Sequence, residues 1–199
     1  MNENRLDRTI LEVYGSSSFF KVKADSFGIN KVQIDFVSMD GEAKSKQNIS
    51  FFVDIYKALA LANDIQSGRI GKLIDAAKKD AEDKGLKYPP HVWQDMGGVG
   101  ADAAKKRKMR DDGKAVSRTL SLIPGEKQPF VFNARQSAGI EQRRGAITPD
   151  SSDKSAQYII VPFDTDILKA FALGIQTEWD AFIKTQYMRG MFNYKSSEQ

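Results

Sequence analysis

PFVFNAR (Pro129–Arg135), QSAGIEQRRGAITPD (Gln136–Asp150), QYIIVPF (Gln157–Phe163) and DTDILKAFALGIQTEWDAFI (Asp164–Ile183) form one stretch interrupted only by SSDKSA. The first three pieces are short, rich in β-branched and aromatic residues, and punctuated by Gly, Pro and Asp, which is how antiparallel strands and their turns are written. In the fourth, Ile167, Leu168, Phe171, Ile175 and Trp179 recur at spacings of three and four, the buried stripe of an amphipathic helix. Asp164 stands where an N-cap is needed. Strands closed by a helix are therefore expected here, with strands over 130–135, 140–147 and 158–162.

Working outward, an earlier stretch carries the same plan. Phe20-Lys21-Val22-Lys23-Ala24 precedes Phe130-Val131-Phe132-Asn133-Ala134 by 110 positions, and Gly28-Ile29 precedes Gly139-Ile140 by 111. Asp54-Ile55-Tyr56-Lys57-Ala58 precedes Asp166-Ile167-Leu168-Lys169-Ala170 by 112. An offset that drifts by one residue per loop is what duplication with small insertions leaves. A period this long indicates two related halves of one fold rather than a solenoid.

Along the chain, ILEVY (Ile10–Tyr14) is expected as a first strand, followed by Phe19–Ala24 and Lys31–Val37, whose alternation turns Val32, Ile34 and Phe36 to the core. Asp40-Gly41 is a hairpin signal, and a short fourth strand is expected near Ser45–Ser50. From Phe52 the period becomes helical, with Val53, Tyr56, Leu59, Ala60 and Asn63 on one side and a stop at Ser67-Gly68. A more polar helix follows over Ile70–Lys84. Residues 86–113 break the pattern and read as a long loop or arm, with Trp93 available to tack it down and the basic run Lys105, Lys106, Arg107, Lys108, Arg110 at its end. Ala115–Ile123 is expected to open the second copy. The reading is α+β: one compact domain of two β-β-β-β-α repeats related by a pseudo-twofold. The repeats cover 9–67 and 114–187, with an inserted helix and basic loop at 68–113 and a tail at 188–199.

Bulk composition bounds the function. Hydrophobic residues make 41% and charged residues 28% of 199 positions, as in a soluble globular protein with room for a core. No apolar run reaches membrane-spanning length. MNENRLDR at the start is polar, so no secretory signal is read there and a cytoplasmic protein is expected. Zero cysteines remove disulfides, thiolate metal sites and cysteine nucleophiles, and a single histidine, His91, leaves no catalytic triad or histidine-based metal centre. Gly98-Val99-Gly100-Ala101-Asp102-Ala103 matches a loose G-x-G-x-x-A with no strand expected before it, which is weak support for a nucleotide site. Neither catalytic residues nor a metal or cofactor is expected, and the chain does not read as an enzyme. Net charge is +4, and residues 101–118 alone, with seven Lys/Arg against three Asp/Glu, account for it. Attraction to a polyanion must then come from local patches.

Those patches are expected on outward strand positions: Phe19, Lys21, Lys23, Lys31 and Gln33 in the first copy, Asn133, Arg135, Gln136, Gln142, Arg143, Arg144 and Tyr158 in the second. Cations that meet phosphates beside aromatic faces that stack unpaired bases suit single-stranded nucleic acid. The run at 105–110 is a second candidate contact. Residues 134–171, ARQSAGIEQRRGAITPDSSDKSAQYIIVPFDTDILKAF, resemble the single-stranded-DNA-binding domain of the eukaryotic transcriptional positive cofactor four. The resemblance lies in the basic third strand, the turn with Pro149-Asp150, the strand Ile159-Ile160-Val161-Pro162 and the helix opening at Asp164. Two such units in one chain resemble Whirly-type proteins. The resemblance implies curved sheets, single-stranded DNA as partner, with RNA as the alternative ligand, and a setting in bacterial or mobile-element DNA metabolism. It also implies either a monomer with an internal pseudo-dimer or a homo-oligomer. A different class, a protein–protein assembly module, would need largely apolar outward positions.

Overall fold

A computed structural model describes residues 8–39, 47–143 and 145–190. The Asp40-Gly41 turn, the start of the expected fourth strand, Arg144 and the tail 191–199 lie outside the described residues.

The first sheet runs in the order β1 (Thr9–Tyr14), β2 (Ser18–Lys23), β3 (Lys31–Ser38), β4 (Asn48–Asp54), all antiparallel, and α1 (Ile55–Gln66) follows directly. Next come α2 (Arg69–Lys84), β5 (Trp93–Val99) and the short α3 (Ala101–Lys106). The second sheet adds β6 (Ala115–Pro124), β7 (Phe130–Glu141), β8 (Ile147–Pro149) and β9 (Gln157–Phe163), and α4 (Thr165–Met188) closes the chain. Its order is β5-β6-β7, with β8 and β9 sharing the far edge of β7. Each half is thus an antiparallel sheet four positions wide followed by a helix, the α+β plan expected. No helix among the described residues is long and apolar enough to cross a membrane.

The two helices pack on each other, and Gln66 Nε2 donates to Gln176 Oε1 at 2.6 Å. These glutamines are 110 residues apart, as are the N-cap positions Asp54 and Asp164, so equivalent residues meet across the pseudo-twofold. Counted from the caps, the helices align at 110, two residues off the 112 read from sequence. Strand positions correct the duplication further. The F-x-x-x-A match pairs β2, second in its sheet, with β7, third in its sheet, because both are half-buried strands with phenylalanines turned inward.

Three further expectations change. Residues 93–99 are not loop but the edge strand of the second sheet, in full register with β6 from Trp93↔Leu122 to Val99↔Val116. Gly98 permits this: a Cβ there would sit 2.7 Å from the Val116 carbonyl oxygen and 3.0 Å from Ile147. Residues 130–141 form one strand where two were expected, and Gly139 within it is a close approach, where a Cβ would collide with Ile147. Finally, β4 continues through Asp54, so the helix starts later and its buried stripe is Ile55, Ala58, Leu61, Ala62 and Ile65, leaving Tyr56 in solvent.

The inner faces of both sheets share one core. Phe132 of β7 has ring-centroid distances of 5.5 Å to Phe20, 6.2 Å to Phe36, 5.0 Å to Phe163 and 5.4 Å to Phe171, joining both sheets to α4. Phe132→Ala would leave a cavity at this junction and should cost about 3–5 kcal/mol in urea denaturation, whereas Met188→Ala, on the exposed end of α4, should leave the midpoint unchanged.

Candidate nucleic-acid interface

With the inner faces buried, the outer faces carry the expected ligand groups, and the two behave differently. On the first sheet, Glu12, Lys21, Asp35 and Ser50 stand side by side across four strands. Lys21 pairs with Glu12 at 3.3 Å, Lys23 with Asp35 at 2.6 Å and Lys31 with Asp54 at 2.5 Å. Gln33 Nε2 also donates to Asp35, at 2.9 Å. Burial opposes the charge on Asp35, yet Lys23, Gln33 and Ser50 hold its carboxyl below the ordinary value. Phe19 lies half-buried against Tyr14, ring centroids 5.3 Å apart. Each basic residue expected to face a ligand here is engaged by a carboxylate of a neighbouring strand.

On the second sheet the register sets Met96, Thr119, Arg135 and Tyr158 in one row and Gln94, Ser121, Asn133 and Ile160 in the next. No carboxylate occupies either row. The Arg135 guanidinium lies over the Tyr158 ring at 5.4 Å, and Tyr158 is 52% exposed. Arg135 Nε, Asn133 Oδ1 and the nearby Ser117 Oγ are buried without a hydrogen-bond partner among the described residues. These three polar atoms lie together on the face that also exposes the Tyr158 ring. Exposed Met96 and Ile160 flank the patch.

The remaining candidates are dispersed. Gln136 points to the opposite face, accepting from Arg118 Nε at 2.8 Å. Gln142 and Arg143 lie at the β7–β8 turn, where Gln142 Nε2 donates to Thr148 Oγ1 at 2.9 Å. Lys105 and Lys106 end α3, and with Arg107 and Lys108 they are exposed and have no carboxylate partner among the described residues. Arg110 differs: it is held by Asp112 at 2.6 Å and Asp153 at 3.1 Å. The basic segment is therefore anchored. The Glu141 carboxylate accepts from Ala101 N–H at 2.6 Å at one end, and Asp153 grips Arg110 at the other. The glycine motif at 98–103 begins inside β5 and runs into α3, where Glu141 already occupies the first helical amide. Arg118, half-buried on β6, was not among the residues expected; the sequence offered a hint in AVSRTLSLI, where it is the one charged residue of a strand otherwise small or apolar.

A scan against known protein families finds no match, and neither does a comparison with curated proteins. Among solved structures, two similar chains span nearly all of this one. WHY1 from Arabidopsis thaliana is 12% identical, with 96% of this chain and 96% of that chain covered and a TM-score of 0.45. The plant transcriptional regulator PBF-2 is 12% identical, with 94% and 88% covered and a TM-score of 0.44. At that distance neither assigns a role to any residue here.

The loop that grips the basic segment is built on carboxylates. Hydrogen bonds from the Ser152 hydroxyl and Lys114 bring the Asp150 carboxyl to about 2, and Arg110 followed by the Lys114 amide brings Asp112 to about 2. The Ser155 hydroxyl and the Ala138 and Ser155 amides depress Asp153 further. A depressed folded-state pKa contributes stability that is complete above the ordinary carboxylate value and is lost as pH falls through the folded value. Stability to urea should hold down to about pH 5 and decline between about pH 4 and pH 2. Asp153→Asn should flatten that decline and loosen residues 105–112 in amide exchange.

Proposed function

We propose that the chain is a non-enzymatic binder of single-stranded DNA that contacts its ligand through the outer face of the second sheet. One observation carries the reading: Arg135, with no acidic partner among the described residues, lies over the exposed ring of Tyr158 beside Asn133. Tyr158 supplies a face on which an unpaired base stacks irrespective of identity, Arg135 a cation for the adjoining phosphate, and Asn133 a polar group for a base edge. The exposed cations Lys105, Lys106, Arg107 and Lys108 add a local positive field that draws a polyanion in. The lysines of the first sheet are read as structural, since their charges are spent on neighbouring carboxylates. A cytoplasmic place, a role in replication, recombination, transfer or transcription of bacterial or mobile-element DNA, and a monomeric or homo-oligomeric state belong to the same proposal.

Fluorescence anisotropy with a labelled single-stranded DNA, the matching RNA and a duplex tests it. Single-stranded DNA should bind best and weaken as salt rises. Tyr158→Ala should weaken it by the about 1–3 kcal/mol of one stacked base, and Arg135→Ala should also lower the salt slope by about 0.7. Lys21→Ala should change neither. Preference for RNA would reassign the ligand through its 2′-hydroxyl, and unchanged binding in both outer-face variants would remove the site from this sheet.

A further inference from the structure

The seam between the sheets holds a cleft on the opposite side of the second sheet from Arg135. Edge strands β4 and β5 border a space of about 470 Å3, inside the range of about 300–1,000 Å3 usual for small-molecule sites. Four cations line it, Lys31, Lys57, Arg107 and Arg118, against two carboxylates, Asp54 and Asp95. Both carboxylates are taken. Asp54 is held by Lys31 at 2.5 Å and Lys57 at 4.0 Å, and buried Asp95 by Lys57 at 2.6 Å. The excess of two positive charges therefore sits on Arg107 and Arg118, neither of which has an acidic partner among the described residues.

Arg118 is built into place. Its Nε donates to Gln136 Oε1 at 2.8 Å, which orients the guanidinium plane and leaves its terminal nitrogens for another acceptor. Its register partner on the edge strand is Gly97, where no side chain covers it; a Cβ there would meet nothing nearer than the Phe51 ring at 3.7 Å. Arg107 is brought to the same cleft by the anchored α3 segment. Burial, and after it the charge of Arg107, push the Arg118 guanidinium below its ordinary value, so an anion between the two arginines would relieve both. Across the cleft, Phe52 is 41% exposed with its ring available to a flat group.

We propose that this cleft is a phosphate-binding site in which Arg107 and Arg118 together hold the phosphate of a nucleotide-sized ligand whose base lies towards Phe52. Two convergent guanidinium groups suit tetrahedral oxyanions, giving several charge-assisted hydrogen bonds at once. The site stands apart from the outer-face reading, because Arg118 neighbours Thr119 on β6 and so faces away from the row that holds Arg135.

The test is a titration of the full chain followed by amide and arginine Nε NMR signals, at chloride-matched ionic strength. The probes are inorganic phosphate, thymidine 5′-monophosphate, the dinucleotide thymidylyl-thymidine (a diester only) and thymidine. The monophosphate should shift Gly97, Gly98 and the Arg118 Nε signal, and thymidine should not. Arg107→Ala, at an exposed position that tolerates change, should weaken the monophosphate about tenfold, the loss of one charge-assisted contact. Arg118→Gln should abolish the shifts, and Arg135→Ala should leave them intact. Equal binding of inorganic phosphate would identify a free oxyanion as sufficient; binding of the dinucleotide would place a backbone diester in the site. Absence of shifts with every phosphate probe, equal shifts with thymidine, or shifts that survive both arginine variants would overturn the proposal.

Discussion

The packing of Phe132 against Phe20, Phe36, Phe163 and Phe171 is the constraint from which the rest follows. An antiparallel sheet buries one face and leaves the other to solvent. Here two sheets bury theirs against each other and against the helices, so the inward positions are committed to aromatic and aliphatic contacts. Variation in chemistry is confined to the outer faces, the seam between the sheets and the segments that border them. Every polar site described above lies in one of those places.

Within that frame, pairing across strands decides which charges remain available. Lysines on the first sheet meet Glu12, Asp35 and Asp54 one strand away, whereas Arg135 meets Thr119 on one side and Tyr158 on the other. Residue type is the same at both places, a cation on an outward strand position. What differs is the neighbour supplied by register, and register is a property of the assembled sheet. The same rule explains the seam, where two lysines neutralise two carboxylates and two arginines are left over.

Much of the fold was legible because periodicity is local. The α4 stripe from Leu168 to Trp179 and the alternation of β3 follow from side-chain spacing alone. β5 was not legible, since Trp93–Val99 lacks alternation and its glycines read as loop. Their purpose appears only once Val116 and Ile147, distant in sequence, are brought against Gly98. Gly139 serves the same purpose, as a close approach inside a strand that runs unbroken from Phe130 to Glu141. Of the proposed contacts, Arg135 and Tyr158 were legible as types on a face. The neutralisation of Lys21, Lys23 and Lys31 depends on strand partners, as does the isolation of Arg118, and neither is written in any single segment.

The contact between Gln66 and Gln176 places a twofold relation inside a single polypeptide. A symmetric homodimer must accept each substitution twice, once on either side of its axis. Covalent joining removes that coupling: a residue can change in one half while its counterpart stays. One sheet has been free to become an electrostatically closed buttress while the other keeps an unsatisfied arginine. The internal dyad thus acts as a licence for asymmetry, so that two halves sharing a single plan carry outer faces of different charge.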